Sequence, residues 1–142
     1  MLARYTQNLA DLDLSILQHY RAADGSDACN ADDAAARADA SQESSSGHLM
    51  LVRLNACGRQ LRDHVIELMA EDGVATNVHY KPLPLLTAYR NGFDIADFPN
   101  ALAQFENEIT LPLHTKLSDD DIDEVCRCLR QAISQAKAEG AR

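Results

Sequence analysis

The run Asn77-Val78-His79-Tyr80-Lys81-Pro82-Leu83-Pro84 places an imidazole, a phenol and an ammonium at successive positions. Together these groups can donate hydrogen bonds to a polar ligand, accept them from it, or neutralise its charge. The run closes a segment rich in β-branched residues, and two prolines stiffen its exit. A rigid loop carrying donors at a strand end makes a suitable ligand edge, so His79, Tyr80 and Lys81 are the candidate substrate-binding residues. The same residues also admit a plain structural account, in which His79 caps a strand and Tyr80 fills core.

Other reactive types are more scattered. His64 falls on the solvated side of a helix, and His48 and His114 flank strands. No histidine pair has the spacing of a zinc motif, so no metal site is expected. Ser44-Ser45-Ser46-Gly47 has the composition of a phosphate cup, but a strand rather than a helix follows it, which favours a linker. Asp119, Asp120, Asp121, Asp123 and Glu124 lack the glycine and spacing of a calcium loop, and helix capping explains most of them. Cys126 and Cys128 lie two apart on a helix and are expected on different faces, while Cys29 and Cys57 stand alone in loops. All four read as free thiols. There is no nucleophile elbow and no Walker motif.

These candidates need elements to position them. Leu2, Tyr5, Leu9 and Leu12 have helical spacing over residues 2–12, with no N-cap ahead of them, which reads as a piece of a longer helix. Residues 15–20 and 48–54 read as strands. Between them, residues 22–45 are dominated by Ala, Asp and Ser without apolar periodicity. They read as a mobile, disordered insertion, with at most some helix around 32–40. Gly58 leads into a helix with Leu61, Val65, Leu68 and Met69 on one stripe, ended by Gly73 in a left-handed cap. Residues 74–79 are predicted as a second strand and 85–91 as a short helix. Pro99 opens another helix, with Phe98, Leu102, Phe105 and Ile109 on one side. A brief strand over 110–113 follows. Ser118 and Asp121 then box the start of the last helix, which turns Ile122, Val125, Leu129 and Ile133 inward.

That order predicts an α/β (α+β) domain with a small, three-stranded, mainly antiparallel sheet and helices on one face. If the strands at 48–54 and 74–79 are parallel, the third main strand inserts between them in the opposite sense. The 142 residues suit a single domain. A formal charge of −9 with no basic cluster argues against nucleic acid. The longest apolar run, Leu49-Met50-Leu51-Val52, is too short for a bilayer. No secretory signal opens the chain, and cytoplasm is the expected location.

Several strings resemble the C-terminal region of the DegT/DnrJ/StrS-type, pyridoxal-phosphate-dependent nucleotide-sugar aminotransferases. They are Ser45-Ser46-Gly47-His48-Leu49, the run from Gly73 through His79 and Tyr80 to Leu83, Ala88-Tyr89, Phe98-Pro99-Asn100-Ala101, Glu108-Ile109-Thr110-Leu111-Pro112-Leu113-His114, and Ser118 to Val125. The likeness covers nearly all of 45–130 and, more loosely, 2–20. The His-Tyr-x-Pro stretch followed by the Leu-Pro-Leu-His strand is specific in combination. The resemblance implies the small domain of a fold-type-I aminotransferase. In such an enzyme a large domain holds pyridoxal phosphate, an amino group passes from glutamate to a nucleotide-linked keto-sugar for cell-surface polysaccharide, and the working unit is a homodimer. It also implies that His79 and Tyr80 lie near the nucleotide-sugar pocket. Pro84 departs from the family pattern, in which a second histidine is common, and 22–44 exceeds the usual connector.

The lysines are Lys81, Lys116 and Lys137, and none sits in the family's cofactor-lysine motif. The expectation is therefore a single small domain over 1–142 without the large cofactor-binding domain, inactive by itself and holding no pyridoxal phosphate alone. A stand-alone, non-catalytic binding or interaction module of the same fold is the alternative. A small ligand-sensing α/β domain unrelated to aminotransferases is a third.

Overall fold

A computed structural model describes residues 1–17, 47–55 and 57–140. The expected insertion over 22–45, the trace of helix around 32–40, Cys29 and the Ser44–Ser46 run lie outside them.

Three strands form one antiparallel sheet in the order β1 (Leu14–Leu17), β2 (Met50–Leu54) and β3 (Glu108–Leu111). The register pairs Ile16 with Val52 and Val52 with Ile109. Side chains alternate across a strand. Met50, Val52, Leu54, Ile109 and Leu111 thus share one face and enter the core, while Leu51, Arg53, Glu108 and Thr110 share the other. A single exchange of backbone hydrogen bonds joins Asn77 to Thr110 on the far side of β3. β3 therefore lies between β2 and this segment, antiparallel to both, which is the predicted arrangement. The segment over 74–79 is not a strand, however, but one isolated bridge.

Helices α1 (Leu2–Asn8), α2 (Gly58–Glu71) and α4 (Asp119–Gly140) cover the core face. α2 contributes Val65, Leu68 and Met69. It ends as its sequence predicts: Gly73 has φ +81° and donates to Ala70, and Val74 donates to Met69. This paired bonding satisfies the last carbonyls and needs a residue at ease in the left-handed region. α4 begins in a reciprocal box, with the Asp121 N–H donating to Ser118 Oγ and the Ser118 N–H to Asp121 Oδ2. Cys126 and Cys128 are not split between core and solvent, since both are buried on α4 as free thiols. Burial pushes the Cys126 thiol up to about 11. Residues 85–91 do not form the expected helix: Leu83–Leu85 is a 3-10 turn, followed by further turns.

α3 (Pro99–Asn107) adds little to the core, burying only Asn107. Its junction with α2 is polar and reciprocal. Asn107 Oδ1 accepts from the Cys57 and Gly58 N–H groups, capping an α2 start that has no side-chain cap of its own. In return, Arg62 of α2 donates through Nη1 to the carbonyls of Phe105 and Glu108. Its guanidinium lies 5.2 Å from the Phe105 ring centroid, and Nε lies 2.7 Å from Asp63 Oδ1. Arg62 is only 1% exposed.

α1 is tied to α4 by charge. Arg4 grips Asp123 with Nε at 2.7 Å and Nη2 at 2.6 Å, and Asn8 donates to the same carboxylate. The buried Tyr5 hydroxyl donates to the Pro112 carbonyl at 2.7 Å.

Two predictions follow from these ties. Arg62→Met leaves the Phe105 and Glu108 carbonyls buried without their donor, at ~1–3 kcal/mol each. Urea denaturation is expected to show a loss of about 2–4 kcal/mol, and a variant within 0.5 kcal/mol of wild type, the ordinary surface range, contradicts the role given to Arg62. The hydrogen bond from Arg4, then that from Asn8, holds the Asp123 carboxyl at about 2, below its ordinary 3.8. A depressed carboxyl contributes in full above its unfolded value and is lost as pH falls through its folded one. The α1 clasp should therefore weaken between about pH 4 and pH 2. Acid titration followed by the NMR signals of the Tyr5 ring should show this step, and Arg4→Met should remove it.

Candidate functional site

The bridge at Asn77 and Thr110 does not lengthen into a strand, and the reason lies two residues further on. An antiparallel ladder would next join His79 to Glu108 through their backbones. Instead the Glu108 carbonyl accepts from Arg62, and the His79 N–H donates to the Glu108 carboxylate, Oε2, at 2.9 Å. Two side chains have taken the two ends of one ladder bond. The chain leaves the sheet at His79, and His79, Tyr80 and Lys81 emerge at the end of the bridged segment.

The His79 ring is held too. Its Nδ1 lies 2.8 Å from Thr110 Oγ1, and Thr110 Oγ1 lies 2.6 Å from Glu108 Oε1. Glu108 and Thr110 are two apart on β3, so they share a sheet face. Both are buried. Burial pushes the Glu108 carboxyl above its ordinary value, while the Thr110 hydroxyl and the His79 N–H pull it back down. His79 itself is half-buried, and the Tyr80 ring meets it edge-on with centroids 4.6 Å apart.

Tyr80 does not fill core: it is 70% exposed. Lys81 is exposed beside it. The structure thus brings His79, Tyr80 and Lys81 together at one surface, with His79 anchored and the other two reaching outward. Beyond Pro82 and Pro84 the chain borders an open cleft of about 580 Å³, lined by Pro84 and residues 90–95. Tyr80, Leu83, Tyr89, Phe93 and Phe98 are all exposed large apolar residues, and only Met1 among the described residues shares that status elsewhere. Phe98, expected on one side of its helix with Leu102, Phe105 and Ile109, is among them.

The remaining candidates lie apart. His48 is exposed, and His114 Nδ1 accepts from the Lys116 N–H. His64 is held by Glu139, whose hydrogen bond raises its pKa. Asp121 serves the α4 cap, and Asp119 and Asp123 serve Arg4. No group of three potential metal ligands occurs among the described residues. No described helix is long and apolar enough to cross a membrane. Sequence reasoning missed Glu108, Thr110, Arg62 and Asn107. The one available signal was a charged residue opening an otherwise apolar strand at Glu108-Ile109-Thr110-Leu111.

The profile of the DegT/DnrJ/EryC1/StrS aminotransferase family matches residues 1–130. The spore coat polysaccharide biosynthesis protein SpsC of Bacillus subtilis is 30% identical over 93 residues, covering 63% of this chain and 24% of SpsC. Among solved structures, the sugar aminotransferase Spr1654 of Streptococcus pneumoniae, described as putative and in its PMP-form, superposes with a TM-score of 0.80 at 35% identity, covering 99% of this chain and 31% of that one. DesI, solved in the presence of its TDP-sugar product, gives 0.70 at 26% identity, again covering 99% and 31%. The chain thus spans about a quarter to a third of the length of these relatives.

Spr1654 is also known in a PLP-form, which raises the question of whether this chain's residues fit pyridoxal phosphate. Covalent attachment needs a lysine held in a shielded site with an acid for the ring nitrogen. Lys81, Lys116 and Lys137 are all exposed and lie on separate segments. They do not fit the group. Titration of the purified chain with pyridoxal phosphate is expected to give no saturable imine absorbance that disappears on mutating one lysine. A stoichiometric, lysine-specific imine overturns this.

Proposed function

The chain belongs to the DegT/DnrJ/EryC1/StrS aminotransferase family, and we propose that it is the small C-terminal domain of a sugar aminotransferase, supplying part of the pocket for a nucleotide-linked keto-sugar. Amino transfer, with glutamate as donor, belongs on this reading to a large domain that holds pyridoxal phosphate, in a homodimeric enzyme. This chain's own residues bind and orient. The observation that carries the reading is the pairing of an anchored His79 with an exposed Tyr80 and Lys81 at the end of the bridged segment. Anchoring fixes direction before the ligand arrives, so little conformational freedom is lost on binding. The name of SpsC and the TDP-sugar in the DesI structure favour a nucleotide sugar bound for polysaccharide.

The exposed aromatic stretch fits the same picture. Tyr80, Leu83, Tyr89, Phe93 and Phe98 fall within nineteen consecutive positions, 80–98. Clustered apolar exposure marks an interaction surface. On this reading the large domain covers that surface, and the substrate lies between the two.

In a full-length enzyme carrying this domain, His79→Ala or Tyr80→Phe should impair the half-reaction with the nucleotide sugar more than the one with glutamate. One hydrogen bond is worth about 0.5–1.5 kcal/mol when neutral and about 1.5–3 when charged. At ~1.4 kcal/mol per decade the expected loss is about tenfold in kcat/KM for the sugar. Melting temperature, measured alongside, separates recognition from folding. Unchanged sugar kinetics in a stable variant removes the pair from the site.

A further inference from the structure

We propose that Glu108, acting through Thr110, fixes the neutral His79 ring with its proton on Nδ1, so that Nε2 meets the ligand as a hydrogen-bond acceptor and selects a hydroxyl or amine proton over a phosphate oxygen. The lock follows from counting protons. The Thr110 hydroxyl lies between Glu108 Oε1 at 2.6 Å and His79 Nδ1 at 2.8 Å, and it has one hydrogen to give. A carboxylate only accepts, so that hydrogen points to Glu108. Thr110 Oγ1 then has only lone pairs to offer His79, and Nδ1 must carry the ring's proton. A neutral imidazole has a single N–H, which leaves Nε2 bare. Nε2 has no hydrogen-bond partner among the described residues. The other Glu108 oxygen takes the His79 N–H at 2.9 Å, so one carboxylate holds both the backbone and the ring.

A bare Nε2 discriminates by sign. The diphosphate of a nucleotide sugar offers only acceptors, whereas sugar hydroxyls and amines offer protons. This last step rests on the reading of His79 as a ligand-facing residue. The lock itself does not, because it concerns the ligand-free chain. A protonated Glu108 would reverse the whole chain of donors, and Glu108→Gln makes that reversal permanent. The glutamine carbonyl remains with the His79 N–H, its amide donates to Thr110, and the Thr110 hydroxyl must then donate to Nδ1.

The test is long-range proton–nitrogen correlation of the histidine rings in the labelled, ligand-free chain at neutral pH. Wild type should show His79 Nδ1 protonated and Nε2 bare. Glu108→Gln should exchange the two resonances. Thr110→Val should release the ring towards the Nε2–H form that free histidine prefers, and Thr110→Ser should restore the wild-type pattern. The Val/Ser pair carries the test if Glu108→Gln does not fold. A wild-type ring protonated on Nε2, or a folded Glu108→Gln with an unchanged pattern, overturns the lock. Titration of a full-length enzyme carrying this domain, its histidines labelled in the same way, with thymidine diphosphate glucose should move His79 Nε2, and inorganic pyrophosphate should not. Movement with pyrophosphate overturns the proposed selectivity, and no movement with either overturns the sugar reading while leaving the lock standing.

Discussion

A guanidinium that is 1% exposed must have its charge and donors answered from within the fold. Arg62 answers it in part, with one carbonyl at the end of α3 and one at the start of β3, the Phe105 ring and the charge of the neighbouring Asp63, while its Nε makes no hydrogen bond among the described residues. Much of the architecture follows. α2 and α3 are fixed end to end, because Asn107 caps α2 while Arg62 caps α3. The Glu108 carbonyl is withdrawn from the sheet, which leaves its carboxylate to seize the His79 N–H. A buried cation on one helix and the loop that leaves the sheet at His79 thereby meet at the same residue, Glu108.

The consequence for function is a division between rigid and reaching parts. His79 is secured at backbone and ring by two buried side chains of β3. Its neighbours Tyr80 and Lys81 have no such hold, and Tyr80 is the first of five exposed large apolar residues between positions 80 and 98. On the proposed reading, preorganisation is concentrated in His79 and breadth of contact is left to its neighbours.

The apolar skeleton was legible because periodicity reports burial directly: the stripe of α2, the inward row of α4 and the box at Ser118 all fall where the sequence puts them. Gly73 was legible for a local reason, a helix end that needs positive φ. The position of His79, Tyr80 and Lys81 was legible as a proline-stiffened strand exit. Their supports were not. Asn107 and Arg62 act across 43–50 residues of sequence, and Glu108 reaches back 29, so no local pattern reveals the partner. The strand expected at 74–79 failed for the same reason. Its β-branched residues favour a strand, but the ladder was claimed by side chains that propensity does not see. The helix expected at 85–91 gave way to turns, with Leu86 extended at φ −83° and ψ 141° where the helix would have run.

The interruption of the ladder at His79 also bears on how this protein behaves beside copies of itself. An open strand edge is a template for pairing with another chain. On the outer side of β3, both Thr110 backbone groups are taken by Asn77 and the Glu108 carbonyl by Arg62. That flank is sealed by side chains and one bridge rather than by a further strand, so the sheet has no register in which to grow there. Among the described residues the other edge of the sheet is β1, where Leu14–Leu17 pair with β2 on one side only.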